Sequence, residues 1–320
     1  MNFSFLQTSM NNNAYDQKGA NMNPGKKKPS ILIAGAHGFV GSRAMEYYPT
    51  AIPVPSELLR DAGTGLIHFI QTACPDIIIN AAAISDIRTC ENHPEDSYAA
   101  NVKLPEVLAK AARQSGAKLI SFSSDQVYTG CRDHGPYQEN SVLSAPANLY
   151  ARHKLEAEQR VLNILPDAVL LRATLMYDMP ICSYEHIIAC SHANRANFLT
   201  NIRNAAIQKS PVSFPARQYR GITYVRQAVS FLDQAAELPG GIYNYGSENH
   251  LNMLETAKKL LDTLGLETSV SDTGTSPHNL WINTDRIQKH GIHFDTTVQG
   301  FRRCLEDYPI LRHPFLPPSR

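Results

Sequence analysis

The chain has 320 residues, 43% of them hydrophobic, which is long for one compact domain and predicts one large domain with a smaller one beside it. Its 30 Lys and Arg nearly cancel 29 Asp and Glu, for a net charge of +1 without the basic stripe a phosphate backbone would need, so nucleic acid is not an expected partner. Six cysteines without a Cys-x-x-Cys pair and twelve histidines without zinc-protease spacing argue against a metal site and a disulfide framework. No run approaches about 18 apolar residues and the start lacks a secretory apolar stretch, which points to a cytoplasmic protein with no membrane segment.

Residues 1–29, rich in Asn, Gly, Ser and Lys and ending near Lys26-Lys27-Lys28, are expected to form a disordered, solvated tail. Order is expected from Ser30. Ile31-Leu32-Ile33-Ala34 is an apolar run of the kind buried in a parallel sheet. It runs straight into Gly35-Ala36-His37-Gly38-Phe39-Val40-Gly41, with helix expected from Ser42. Such a turn needs glycine where the chain bends, where backbone approaches a pyrophosphate and where helix packs on strand. Gly35, His37, Gly38, Phe39, Val40 and Gly41 are therefore candidate dinucleotide ligands, the anion sitting at the helix N-terminus. A tight structural turn is the alternative, and it leaves the third glycine without a role.

A second strand is expected over Ala51 to Val54. Ser56 follows where an acidic residue would hold the ribose 2′-hydroxyl of NAD, with Arg60 close by. Without an acid to repel a 2′-phosphate, NADP is favoured and NAD remains open. Asp61 is a candidate for the adenine side. After a helix around Leu66 to Thr72, the strand before Asn80-Ala81-Ala82-Ala83 ends in small side chains that let a cofactor pass over the sheet edge. An amphipathic helix through Leu104, Val107, Leu108 and Ala111 feeds a strand over Lys118 to Ser124. Ser124 at its end could hydrogen-bond a substrate carbonyl, although Ser and Asp also favour turns and caps.

Tyr150 and Lys154 stand four apart on a helix expected through Arg160, so phenol and ammonium share one face. A free phenol has a pKa of about 10, and a cation beside it would lower that value toward working acid–base chemistry. The alternative is an ordinary solvated pair.

Glycines at 35, 38 and 41, Asn80-Ala81-Ala82-Ala83, Ser123-Ser124-Asp125-Gln126-Val127-Tyr128-Thr129-Gly130 and Tyr150-x-x-x-Lys154, in this order, resemble the extended short-chain dehydrogenases. Within them the chain is most similar to the dTDP-4-dehydrorhamnose reductases, through Cys74-Pro75-Asp76-Ile77-Ile78-Ile79-Asn80 and Ser123-Ser124-Asp125-Gln126-Val127-Tyr128. Asn197-Phe198-Leu199, Tyr219 to Val225 and Gly240 to Gly246 also resemble that family's wording. The resemblance implies an α/β fold, a doubly wound parallel Rossmann sheet with a smaller C-terminal α/β substrate domain. The division expected is 30–178 with 224–247 for the cofactor, and 179–223 with 248–320 for the substrate.

The resemblance further implies reduction by NADPH of the 4-keto group of a nucleotide-linked deoxy sugar. Tyr150 would be the proton donor, Lys154 its tuner and a ribose ligand, and Ser124 the group that polarises the carbonyl, with Asp125 assisting. Asn80, Ala81 and Ala82 would line the cofactor, and Asn197 and Arg220 the substrate. Arg220 would pair with a diphosphate or else form a surface ion pair. A homodimer is compatible with these features. Two departures stand out: Leu175 replaces the family's usual tryptophan, and Arg217-Gln218-Tyr219-Arg220-Gly221-Ile222-Thr223 replaces Asp-Gln-x-Gly-x-Pro-Thr. They keep two other readings open: an NAD-dependent epimerase or dehydratase, and a non-catalytic subunit resembling the methionine adenosyltransferase β subunit.

Overall fold

The computed structural model describes residues 28–131, 134–141, 143–179 and 196–308. The expected tail, apart from Lys28 and Pro29, lies outside the described residues, as do residues 180–195 and 309–320 of the expected substrate region.

Six strands form the central sheet: β1 (Ile31–Ala34), β2 (Ile52–Pro53), β3 (Ile77–Asn80), β4 (Lys118–Ser124), β5 (Val169–Ala173) and β6 (Gly241–Tyr245). Their order is β6-β5-β4-β3-β1-β2 and every pairing is parallel. Parallel strands need crossovers, and the crossover helices cover both faces, which is why β1 and β3 are buried at every residue. One face packs Ile33, Ile79, Ile120, Phe122 and Val169 against Val225, Ala228 and Leu232. The other packs Leu32, Ile78, Leu119 and Leu170 against Leu66, Leu108, Ala112 and Val161. The helices Leu104–Ser115 and Leu149–Ile164 lie on this second face.

The second strand is shorter than the expected Ala51–Val54, although the Val54 amide still bonds the Ile33 carbonyl at 2.9 Å. Pro53 ends it and Pro55 follows, and a proline cannot donate to a ladder, so the strand stops early.

A second core gathers Tyr177, Phe198, Ile202, Ile222, Tyr224, Leu260 and Phe301. It is built on the paired strands Leu175–Tyr177 and Ile222–Tyr224 and on the helices Phe198–Ile207, Met253–Leu264 and Thr297–Asp307. Each of these helices starts at a capping box, Asn197 with Thr200, Asn252 with Glu255 and Thr296 with Gln299. Sequence and space part company at one point. Ile287 and Ile292, expected with the substrate region, pack in the sheet-side core, because the chain after residue 280 returns over β6. The buried pair Arg43–Asp178, at 2.9 Å, ties the helix after the glycine turn to the strand entering the second core.

Candidate active site

The chain leaves β1 for β2 on one side and reaches β3 on the other, so the carboxyl ends of β1 and β3 flank a crevice where open α/β sheets bind ligands. Gly35 has φ of 84°, and a Cβ there would lie 2.6 Å from the Ala82 amide nitrogen. Gly41 packs the helix onto the turn, since its Cβ would run into the Gly35 carbonyl. Gly38 is the N-cap of helix Phe39–Tyr47 and offers no side-chain cap. The amides of Phe39, Val40 and Gly41 thus start the helix without intrahelical acceptors, the arrangement that receives an anion. His37 is exposed at the rim, while the Phe39 ring lies under the Arg43 guanidinium, 4.4 Å away, and leans on the sheet core.

The Asn80 side chain donates to Ser121 at 2.9 Å and accepts from the Ala82 amide at 3.2 Å, and the Ala81 amide bonds Ala34 at 2.9 Å. These bonds hold Ala81 and Ala82 against the glycine turn. Ser56 opens the short helix Ser56–Asp61 past β2, with Arg60 exposed on it; Asp61 closes that helix with its carboxylate beside Gly63.

Ser124 ends β4 and Tyr150 and Lys154 sit in the first turns of helix Leu149–Ile164, which starts where the Asn148 side chain accepts the Ala151 amide. All three side chains are buried. The Ser124 hydroxyl lies near the Tyr150 phenol and pulls its pKa down. The Lys154 ammonium bonds the Phe122 carbonyl at 2.9 Å and lies 5.9 Å from the centre of the Tyr150 ring.

The expected lowering of the phenol by Lys154 does not appear in this geometry. Burial pushes Tyr150 up to about 12, Ser124 and the Arg220 charge pull it down, and Asp125 and Cys90 push it up. Lys154 is not among these leading causes, because its ammonium turns to Phe122 and is itself brought down to about 8 by burial, with Glu158 opposing.

Glu158 is the third member of an i, i+4 series with Tyr150 and Lys154, a spacing that would have singled it out. It accepts from Ser123 at 2.5 Å and from Arg172 on β5 at 3.0 and 2.8 Å, with both side chains only 2% exposed. Arg172 goes on to Tyr128 at 2.9 Å, and Tyr128 to Asn244 on β6 at 2.8 Å. Cys90, which acts on both Tyr150 and Lys154, had no signal in the sequence; a helix outside the motifs brings it there.

Asp125 is fully buried and gripped by Arg220 through two bonds of 2.7 Å. Arg220 forms an ion pair with Asp125, its side chain 20% exposed and that of Asp125 fully buried. Asn197 caps helix Phe198–Ile207 and donates to the Asp178 carbonyl at 2.8 Å, so it serves the second core and lies outside the Ser124–Tyr150 contacts. Leu175 packs at the edge of the second core, and Trp281 stacks edge-on to His250 at 4.9 Å.

Among the described residues no helix is long and apolar enough to cross a membrane, and no cluster of His, Cys, Asp and Glu could hold a metal ion. Cys74, Cys90 and Cys304 are free thiols; Cys182 and Cys190 lie outside the described residues.

The chain is 27% identical over 293 residues to the dTDP-4-dehydrorhamnose reductase of Mycolicibacterium smegmatis, covering 87% of this chain and 84% of that protein. It is 23% identical to the spore coat polysaccharide biosynthesis protein SpsK of Bacillus subtilis, over 78% of this chain and 84% of the other. A crystal structure of dTDP-4-dehydrorhamnose reductase from Bacillus anthracis in complex with NADP superposes with a TM-score of 0.76 at 21% identity, covering 88% of this chain and 99% of that one. A UDP-glucose 4-epimerase from Thermotoga maritima, with UDP-glucose, gives 0.73 at 15% identity, covering 88% and 99%. At these identities the two structures speak for the fold, which reductase and epimerase share. The family model of the RmlD substrate binding domain matches residues 29–280, and the chain belongs to that family.

Proposed function

We propose that this chain is a cytoplasmic, NADPH-dependent reductase of the 4-keto group of a nucleotide-linked deoxy sugar. The observation that carries the reading is the meeting of Ser124, Tyr150 and Lys154 at the carboxyl edge of the sheet that also carries the glycine turn. The relatives named as dTDP-4-dehydrorhamnose reductases support it. The residues present fit a dinucleotide: Gly35 and Gly41 let the turn pack tightly against Ala82 and against itself, and the helix that follows starts at Gly38 without a side-chain cap, leaving its first amides to an anion. Ser56 and the exposed Arg60 suit a 2′-phosphate, and NAD is the alternative.

The cofactor supplies a hydride when bound. Ser124 holds the ketone oxygen, and Tyr150, kept protonated by its burial, donates the proton that turns that oxygen into a hydroxyl. Lys154, with its charge supported by Glu158, re-establishes the protonated phenol and contacts the ribose. Residues 30–178 and 224–247 serve the cofactor; 179–223 and the segment from 248 serve the substrate, apart from Ile287 and Ile292. The active species in this reading is a homodimer or a monomer, which sedimentation of the purified protein decides.

The test is oxidation of NADPH, followed at the reduced-nicotinamide band, with and without a dTDP-4-keto-6-deoxy sugar. Sugar-dependent oxidation is expected, and Tyr150→Phe should lower it about 10²- to 10⁴-fold while leaving NADPH binding intact. Full activity in that variant would remove Tyr150 from the reaction. Tight NADPH binding without turnover across several keto sugars would favour the non-catalytic subunit, which Leu175 in place of tryptophan also suits.

A further inference from the structure

A short series of contacts runs from the second core into the proton-donating pair. It starts at Arg220, on the strand Gln218–Arg220, whose Nε and Nη2 each reach an oxygen of Asp125 at 2.7 Å. Asp125 in turn lies 3.3 Å from the Ser124 hydroxyl, which donates to it. Ser124 accepts the Gln126 amide at 3.2 Å and lies beside Tyr150, whose pKa it lowers.

Two bonds from one guanidinium fix a carboxylate in position and in rotation, which a single bond does not. Asp125 belongs to the turn Asp125–Tyr128 after β4, whereas Arg220 belongs to a strand paired with His278–Leu280. That strand is held in turn. The Asn249 side chain bonds the Arg220 carbonyl at 3.0 Å, and Gly221 sits so close to the Ser247 carbonyl that a Cβ there would collide with it. Arg220 is therefore set by the far side of the crevice, and Asp125 is set by Arg220.

We propose that Arg220 is a positioning residue: from the strand Gln218–Arg220 it holds Asp125, and through Asp125 it sets the place of the Ser124 side chain beside Tyr150. The geometry of the proton-donating pair then depends on how the strand Gln218–Arg220 is seated. His278 completes the cluster. Its strand runs beside that of Arg220, its Nε2 is buried without a hydrogen-bond partner among the described residues, and the charges that act on its ring are those of Arg220 and Asp125. Burial and Arg220 hold the ring below its usual protonation range, which leaves the Asp125 carboxylate to Arg220.

The consequence for turnover rests on the reductase reading; the consequence for structure does not. The test uses crystal structures, melting temperatures and kinetics of the full chain with Arg220→Met and Arg220→Lys. In Arg220→Met the Asp125 carboxylate should rotate away and the Ser124–Tyr150 contact open, while Arg220→Lys keeps Asp125 in place. Asp125, Ser124 and Tyr150 superposing on the parent in Arg220→Met would overturn the proposal. With a keto sugar that the parent reduces, Arg220→Met should lower kcat about 10- to 100-fold, at a KM for the sugar that is little changed, and lysine should restore part of it. A raised KM at unchanged kcat would make Arg220 a substrate ligand and also overturn the proposal. If the parent reduces no keto sugar, the reductase reading fails, and the structural comparison alone still decides the role of Arg220.

Discussion

Ser123 and Ser124 are neighbours on β4, and each hydroxyl meets a carboxylate that an arginine grips with two nitrogens. On one side stand Glu158 and Arg172, each 2% exposed, with Ser123 at 2.5 Å. On the other stand Asp125, fully buried, and Arg220, 20% exposed, with Ser124 at 3.3 Å. The first arrangement joins one helix to adjacent strands of one sheet; the second joins the turn after β4 to the strand Gln218–Arg220. One step along the chain separates a sealed network from a pair whose arginine water reaches. The same chemistry is sealed in one place and in the other leaves its arginine one-fifth exposed.

The largest expected effect that sharpens this contrast is on stability. Glu158→Gln leaves Arg172 charged and enclosed, and should cost about 3–5 kcal/mol in denaturant unfolding. Asp125→Asn leaves an arginine that water still reaches, and about 1–3 kcal/mol is expected. Equal losses would erase the distinction between sealed and open pairs.

Next come the serines. Ser123→Ala removes a bond to the buried Glu158 carboxylate, which Arg172 still holds, and should lower stability by about 1–3 kcal/mol with turnover little affected. Ser124→Ala should do the reverse, with kcat falling about 10²-fold as the carbonyl loses its donor. Loss of turnover from Ser123→Ala alone, at full stability, would break the comparison.

A smaller effect is on pH dependence. Burial brings Lys154 down to about 8, so the free protein binds this proton below that value and releases it above. Tyr150 stays protonated far beyond, up to about 12. If charged Lys154 supports proton delivery, kcat/KM should decline as pH rises through about 8, and the free-enzyme profile reads this directly. A profile flat from pH 7 to pH 9 would detach Lys154 from the rate.

Smallest is the response of His278. Arg220 lowers its pKa and Asp125 raises it. Arg220→Met therefore should raise it, which proton NMR titration of the histidines would detect. An unmoved His278 would place the ring outside the Asp125–Arg220 cluster.

The cofactor side was legible because its signals are local. Gly35, Gly38 and Gly41 announce a turn that no side chain can occupy, and the apolar runs Ile31–Ala34 and Ile77–Asn80 announce buried parallel strands. Tyr150 and Lys154 were legible as a spacing on a helix. Their electrostatics were not, since the direction of the Tyr150 shift depends on burial, and burial depends on what the rest of the chain lays over the helix. Arg220 lies 95 residues from Asp125 in sequence, and no periodicity connects the two. Cys90 and His278 enter for the same reason.

The amino-acid sequence by itself determined the parallel sheet, the glycine turn at its carboxyl edge and the pairing of tyrosine with lysine, because strand burial, turn geometry and helix spacing follow from neighbours within a few residues. Only the tertiary structure decided that Asp125 answers to Arg220, that Ser123 and Ser124 fall to different networks, and that Ile287 and Ile292 return to the first core. Those outcomes depend on which distant groups share a desolvated space, where an unpaired charge or polar group is too costly to leave and a partner is found wherever the fold brings one.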